Sequence, residues 1–252
     1  MIVPRFYEDL NVMYDKTMSA RAYYIPASVR MNDLVEHRER SDRFQLLNGE
    51  WKFRYYSSIY DVTESFYEKG YDVSGFDQVT VPGVWQMDGY DTHQYTNIRY
   101  PFPFDPPYVP QDIPCGAYVH NFEYHREKKA PKAFLNFEGV DSCFYVWVNG
   151  AYAGYSQVPH ATSEFDVTDL LNEGENTLAV LVLKWCDGSY LEDQDKFRMS
   201  GIFNMSCRYS RDSWRWGIPS LNPSASQTAC FPAENPCSLS CRAVPRGICY
   251  DL

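Results

Sequence analysis

No stretch of about 18 consecutive apolar residues occurs in the chain, which excludes a membrane-spanning helix. No G-x-G-x-x-G or Walker sequence is present, so dinucleotide and P-loop chemistry have no local support. H-E-x-x-H and G-x-S-x-G are missing too. The five His (His37, His93, His120, His125 and His160) are scattered without ligand spacing. The first twenty residues, MIVPRFYEDLNVMYDKTMSA, are broken by acids and have no apolar h-region. A secretory signal is therefore not expected there, and a cytoplasmic location is. Basic residues are in short supply: 23 Lys+Arg stand against 33 Asp+Glu, a net charge of −10 and a pI near 5.0. Such a surface argues against nucleic acid or an anionic membrane as partner. Aromatic residues, in contrast, make up 17% of the chain, which excludes global disorder.

The averages conceal a break. Residues 1–203 carry 18 Lys+Arg, 30 Asp+Glu and three Cys, a net of −12. Residues 204–252 carry five Arg, three acids and five Cys, a net of +2. Cys207, Cys230, Cys237, Cys241 and Cys249 form no C-x2-C pair, and no His follows His160, so a structural zinc is not indicated. The count is odd for a disulfide module, and no apolar period is sustained. The segment reads as an aberrant, Cys/Ser/Pro-rich tail, of the kind an out-of-frame coding sequence yields.

Between these ends the patterning is β. Residues 1–43 read as a polar N-terminal arm in which MNDLVEHRERSD forms one surface helix. LLNGEWKFRYY alternates after Asn48-Gly49, and FDQVTVPGVWQ is a short strand stopped at Pro82-Gly83. NIRYPFPFDPPYVPQDIP holds too many prolines for a strand and reads as a stiff extended loop. GAYVHNFEY and KAFLNFEGV are strands. SCFYVWVNGAYAGYSQ is a hairpin turning at Asn149-Gly150, with Phe144, Val146 and Val148 on one face. SEFDVTDLLNEGEN reads as a short strand and a helical turn ended by Gly174. NTLAVLVLKW is apolar on both faces, as a doubly buried strand is. Many short strands without helical period predict an all-β fold, a β-sandwich or jelly roll over residues 44–203.

Few residues carry chemistry. Asp187, Glu192, Asp193 and Asp195 cluster after the apolar strand, ahead of Lys196 and Arg198. Carboxylates bind hard cations and sugar hydroxyls, but spacing alone favours a charged loop paired with its own bases. Asn97, before the Pro-rich loop, can hydrogen-bond a ligand or simply hold a turn. Trp51, Trp85, Trp147 and Trp185 can stack on sugar rings, yet each lies in or beside a strand, where core packing is the default.

Four long segments are familiar in order: LNGEWKFRYY; VPGVWQMDGYDTHQYTNIRYPFPFDPPYVP; FEGVDSCFYVWVNGAYAGYSQ; and SEFDVTDLLNEGENTLAVLVLKWCDGSYLEDQDKFRMSGIF. From about Arg21 to Phe203 the chain resembles the N-terminal sugar-binding domain of bacterial β-galactosidases of glycoside hydrolase family 2. The resemblance implies a galactose-binding-domain-like jelly roll, followed in the family by an immunoglobulin-like domain and a (β/α)8 barrel that carries two catalytic glutamates. It implies that Asn97 matches the Asn reaching the galactose subsite, and that Asp195 matches the Asp contacting the sugar and a sodium ion. The family uses Mg and Na, hydrolyses terminal β-D-galactose residues such as that of lactose, and is often oligomeric at full length. Likeness stops after Phe203, where an Arg and a Val-rich strand are expected and Asn204, Met205, Ser206 and Cys207 stand instead. The expectation is therefore a truncated β-galactosidase fragment with no catalytic residue and no cofactor of its own, a weak galactoside partner, and an unpacked tail over 204–252. A stand-alone carbohydrate-binding module and an interaction protein using the Cys-rich tail are the alternatives.

Overall fold

The alternation of residues 174–183 sets the middle of the molecule. Leu178, Val180 and Val182 point to one side, Ala179, Leu181 and Leu183 to the other, and all six are buried. A strand with two apolar faces needs a cover on each, and the rest of the chain provides both. The computed structural model describes residues 2–34, 36–97, 99–192 and 195–210.

In chain order the strands are β1 (Tyr14–Asp15), β2 (Phe44–Leu46), β3 (Gly49–Tyr56), β4 (Asp77–Val81), β5 (Gly83–Val84), β6 (Tyr95–Thr96) and β7 (Cys115–Tyr124). They continue with β8 (Lys132–Asp141), β9 (Cys143–Val148), β10 (Ala151–Ser156), β11 (Ser163–Asp166), β12 (Gly174–Leu183), β13 (Lys196–Phe197) and β14 (Gly201–Ser210). A seven-stranded sheet runs β1-β10-β9-β12-β7-β3-β4, and a five-stranded sheet runs β11-β8-β14-β2 with β5 on β14. All their pairings are antiparallel. The two sheets face each other across a core that includes Trp51, Phe53, Leu135, Phe137, Phe144, Val146, Val180 and Met205. The result is the all-β jelly-roll sandwich that the patterning predicts. The far face of the larger sheet is covered by the arm and the Pro-rich loop: Tyr7, Phe102 and Ile113 pack there with Tyr145, Leu181 and Trp185.

Local rules explain the turns. The β9–β10 hairpin turns on Asn149 (φ 52°) and Gly150 (φ 83°), the positive angles that a type I′ turn demands. The Asn149 side chain also ties the turn to its surroundings, donating to Leu170 O at 2.8 Å. At Gly201 (φ 149°) β14 crosses β5 so closely that a Cβ would lie 2.3 Å from Gly83 O.

Three expectations change. Among the described residues of MNDLVEHRERSD the helical element is the 3-10 turn Arg38–Arg40, not a longer helix. Arg38 reaches out to Glu138 at 2.8 Å and Arg40 to Asp33 at 2.5 Å, and no apolar stripe holds a longer helix to the body. The turn before Gly174 is not helical, and Gly174 itself opens β12. The sandwich does not end at Phe203. β14 continues to Ser210, paired with β8 as far as Lys132 and with β2 as far as Phe44. Met205 and Cys207 are fully buried in the core, so Cys207 is a core residue rather than part of a Cys-rich module. A bulge between Ile202 and Met205 shifts the register within β14. The rest of the tail, with Cys230, Cys237, Cys241 and Cys249, lies outside the described residues.

Candidate functional site

Asn97 and Asp195 are far apart in sequence, and the chain brings them together through two segments zipped edge to edge. β6 and β13 form a two-stranded antiparallel sheet, with Lys196 opposite Thr96 and Phe197 opposite Tyr95. One step further along that register Asp195 stands opposite Asn97. The zip continues at its other end, where Arg198 N–H donates to Gln94 O at 2.8 Å.

Each segment is anchored to the sandwich. Lys184, at the end of β12 and 4% exposed, donates to Asp91 Oδ2 at 2.5 Å and to Thr92 O at 3.3 Å. This buried ion pair holds the start of the first segment. Gln86 links the two: its amide donates to Asp91 Oδ2 at 3.2 Å, and its carbonyl accepts from Ser200 N–H at 2.8 Å. Trp85 N–H donates to Ser200 O at 3.0 Å. His93 and Tyr95 make ring contacts with Phe197 at 5.3 and 5.5 Å.

Both Asn97 and Asp195 are exposed. The Tyr95 hydroxyl donates to Asp195 Oδ1. That bond, together with partial desolvation and the carboxylate charge, raises the Tyr95 pKa, and a hydrogen bond with Asn97 opposes the rise. Tyr95 thus joins the two candidates and was not singled out from sequence; its place two residues before Asn97, on the same strand face, was the available signal. Beside the zip, Tyr95, Phe197 and Leu191 are exposed apolar side chains, while Phe104 and Tyr108 are exposed on the Pro-rich loop.

The acidic cluster separates into different environments. Asp193 lies outside the described residues. Glu192 is half-buried and Asp195 exposed, whereas Asp187 is 4% exposed. Gly188 N–H donates to Asp187 Oδ1 at 2.9 Å, while Oδ2 is buried without a hydrogen-bond partner. Burial pushes its pKa up to about 6, helped by the charge of Asp9 and opposed by bonds to Gly188 and Gln157. Asp187, Asp9 and Gln157 supply oxygen donors of the kind a hard cation takes. Asp195 and Asn97 supply two more. Among the described residues no group of three or more His, Cys, Asp or Glu side chains converges on one point. The four sequence-stacking candidates are core residues: Trp51, Trp85, Trp147 and Trp185 are all buried.

The family model of the Glycosyl hydrolases family 2 sugar binding domain matches residues 44–211, an extent that takes in the whole of β14. A β-galactosidase of Actinobacillus pleuropneumoniae is 51% identical over 203 residues, covering 81% of this chain and 20% of that protein. One from Staphylococcus xylosus is 46% identical over 204 residues, with the same coverage. The chain thus spans about a fifth of the length of these curated relatives. A crystal structure of Bacteroides uniformis β-glucuronidase superposes with a TM-score of 0.50 at 18% identity, over 66% of this chain and 18% of that one. That likeness is one of fold alone.

Proposed function

Because the chain belongs to glycosyl hydrolase family 2 through its sugar binding domain, we propose that residues 44–210 are the sugar-binding part of a β-galactosidase, and that they recognise terminal β-D-galactose without cleaving it. What supports this reading is the β6–β13 register, which continued by one step sets Asn97 opposite Asp195, together with the Tyr95 hydroxyl bonded to Asp195. A carboxylate and an amide side by side suit a pair of sugar hydroxyls, since the first accepts and the second both donates and accepts. Tyr95 holds Asp195 until a sugar hydroxyl replaces its phenol. Retaining hydrolysis needs two carboxyl groups about 5–5.5 Å apart across the bond, one nucleophile and one acid. Asp195 is bonded to a phenol instead, and the sugar contact is its proposed role.

Of the two ions that the family implies, sodium would sit at Asp195 with Asn97 beside it, and magnesium at Asp187 with Asp9 and Gln157. The unpartnered Oδ2 of Asp187 is what favours the second assignment. A bound cation there would neutralise a carboxylate that burial otherwise destabilises. At Asp195 two protein oxygens fall short of the six or so that a hard cation takes, so sodium binds poorly to this chain alone.

Affinity for galactose follows from the same geometry. Hydrogen bonds on an open rim each contribute about 0.5–1.5 kcal/mol net, while lost translational and rotational freedom costs at least about 4 kcal/mol. Calorimetric titration with galactose and lactose tests the reading. Millimolar or weaker binding, lost in both Asn97→Ala and Asp195→Ala, is expected. Binding unaffected by either substitution would overturn the assignment, and a micromolar constant would favour a stand-alone binding module.

A further inference from the structure

The outward face of the five-stranded sheet carries polar groups where an apolar cover would be simpler. One row across the strands reads Glu164, Asn136, Ser206 and Leu46, and the next reads Asp166, Phe134, Arg208 and Phe44. Asn136, Ser206 and Arg208 are buried there, at 1%, 0% and 1% exposure. Their cover is the N-terminal arm. Met18 N–H donates to Glu164 O at 2.7 Å, Arg21 pairs with Glu164 at 2.5 Å, and the Tyr23 ring lies 4.5 Å from the Arg208 guanidinium. Between arm and sheet a cavity of about 210 Å³ remains, bounded by Arg21, Tyr24, Asn136, Glu164 and Arg208 among others.

The full charges around this cavity are already matched. Arg21 faces Glu164, and Arg208 Nη2 lies 3.5 Å from Glu138. What is unmatched is neutral hydrogen-bonding capacity and one leftover donor. Asn136 Oδ1, the Ser206 hydroxyl opposite it and Arg208 Nε are buried without hydrogen-bond partners. Each such group costs roughly 1–3 kcal/mol when left unpaired. Asn136 and Arg208 line the cavity and Ser206 does not, so two unpaired groups on lining residues call for an occupant. An anion would meet Glu164, and a cation would meet Arg21 and Arg208.

We propose that this cavity binds a small neutral polyol, no larger than a monosaccharide, whose hydroxyls donate to Asn136 Oδ1 and accept from Arg208 Nε. The size fits: the space of about 210 Å³ takes several waters, enough for a four- to six-carbon polyol. Tyr23 and Tyr24 also line the space, with the Arg208 guanidinium over both rings. Ala20, Ala161 and Thr162 are exposed at the rim and form the way in. The site shares no residue with the Asn97–Asp195 pair.

Saturation-transfer NMR on the full 252-residue chain, with the four-carbon tetrol erythritol as probe, tests the inference. A saturable signal is expected that survives Asn97→Ala with Asp195→Ala. Asn136→Leu should weaken it about tenfold, the equivalent of one hydrogen bond of about 1.4 kcal/mol. Ala161→Trp, which plugs the rim and leaves the buried polar groups intact, should abolish it even if Asn136→Leu does not fold. No signal from the parent chain would mean that ordered water fills the cavity, and would overturn the proposal. So would a signal indifferent to Ala161→Trp, or one displaced by inorganic phosphate, which would identify an anion site instead.

Discussion

At the residue scale, Asp187 is the group with most to reveal. Its folded pKa of about 6 lies above the ordinary aspartate value of 3.8. The protonated form is thus favoured by folding, and that contribution is complete below about pH 4 and lost as pH rises through 6. At neutral pH the ionised, buried carboxylate opposes folding by about 2–3 kcal/mol. Asp187→Asn should therefore raise the unfolding free energy by about that amount at pH 7.5 and change it little at pH 4. Urea titrations at the two pH values check this, and equal effects at both would contradict it. Magnesium should raise the melting temperature of the parent chain and leave Asp187→Asn unchanged. Sequence grouped Asp187 with Glu192, Asp193 and Asp195, because spacing along a loop carries no information about depth. Only the 3-10 turn Asp187–Tyr190, docked against the arm, separates a buried carboxylate from its exposed neighbours. The tryptophans were legible for the opposite reason: each lies in or beside a strand, where core packing is the default, and all four are buried.

At the element scale, β14 and the Lys184 anchor decide whether the site exists. β14 pairs with β8 over nearly its whole length and supplies Met205 and Cys207 to the core. A chain stopped after Phe203 should fail to fold, while one stopped after Ser210 should melt cooperatively; circular dichroism distinguishes them. Met205→Ala in the full chain should cost about 2–5 kcal/mol, as large-to-small core changes do. Lys184→Met should cost about 3–5 kcal/mol by leaving Asp91 buried without its cation, and should also release residues 91–97 and with them galactose binding. Retained binding at full stability would show that Lys184 is not the anchor. The strand itself was illegible. Asn204, Ser206, Arg208 and Ser210 alternate with Met205, Cys207 and Tyr209, but a changed composition masked a period of two. The bulge after Ile202 also shifts the ladder register within the strand. The short 3-10 turn at Arg38–Arg40 was misread because its charges look helical, while Arg38 pairs with Glu138 on the sheet and Arg40 with Asp33 seven residues back.

At the scale of the whole molecule, the sandwich was readable because its signals are redundant: period-two strands, an Asn-Gly turn and one strand apolar on both faces all agree. The pairing of Asn97 with Asp195 was not readable from spacing, since it depends on a two-residue strand on each segment, and only the family resemblance put them together. On the function proposed above, this chain contacts galactosides while other residues of the family's fold supply the bond-breaking carboxylates. Hydrolysis of an aryl β-galactoside by the purified 252-residue chain tests that most directly. No turnover above the blank is the predicted result, with magnesium and sodium present. Turnover that persists through repurification and disappears in Glu192→Gln would contradict it.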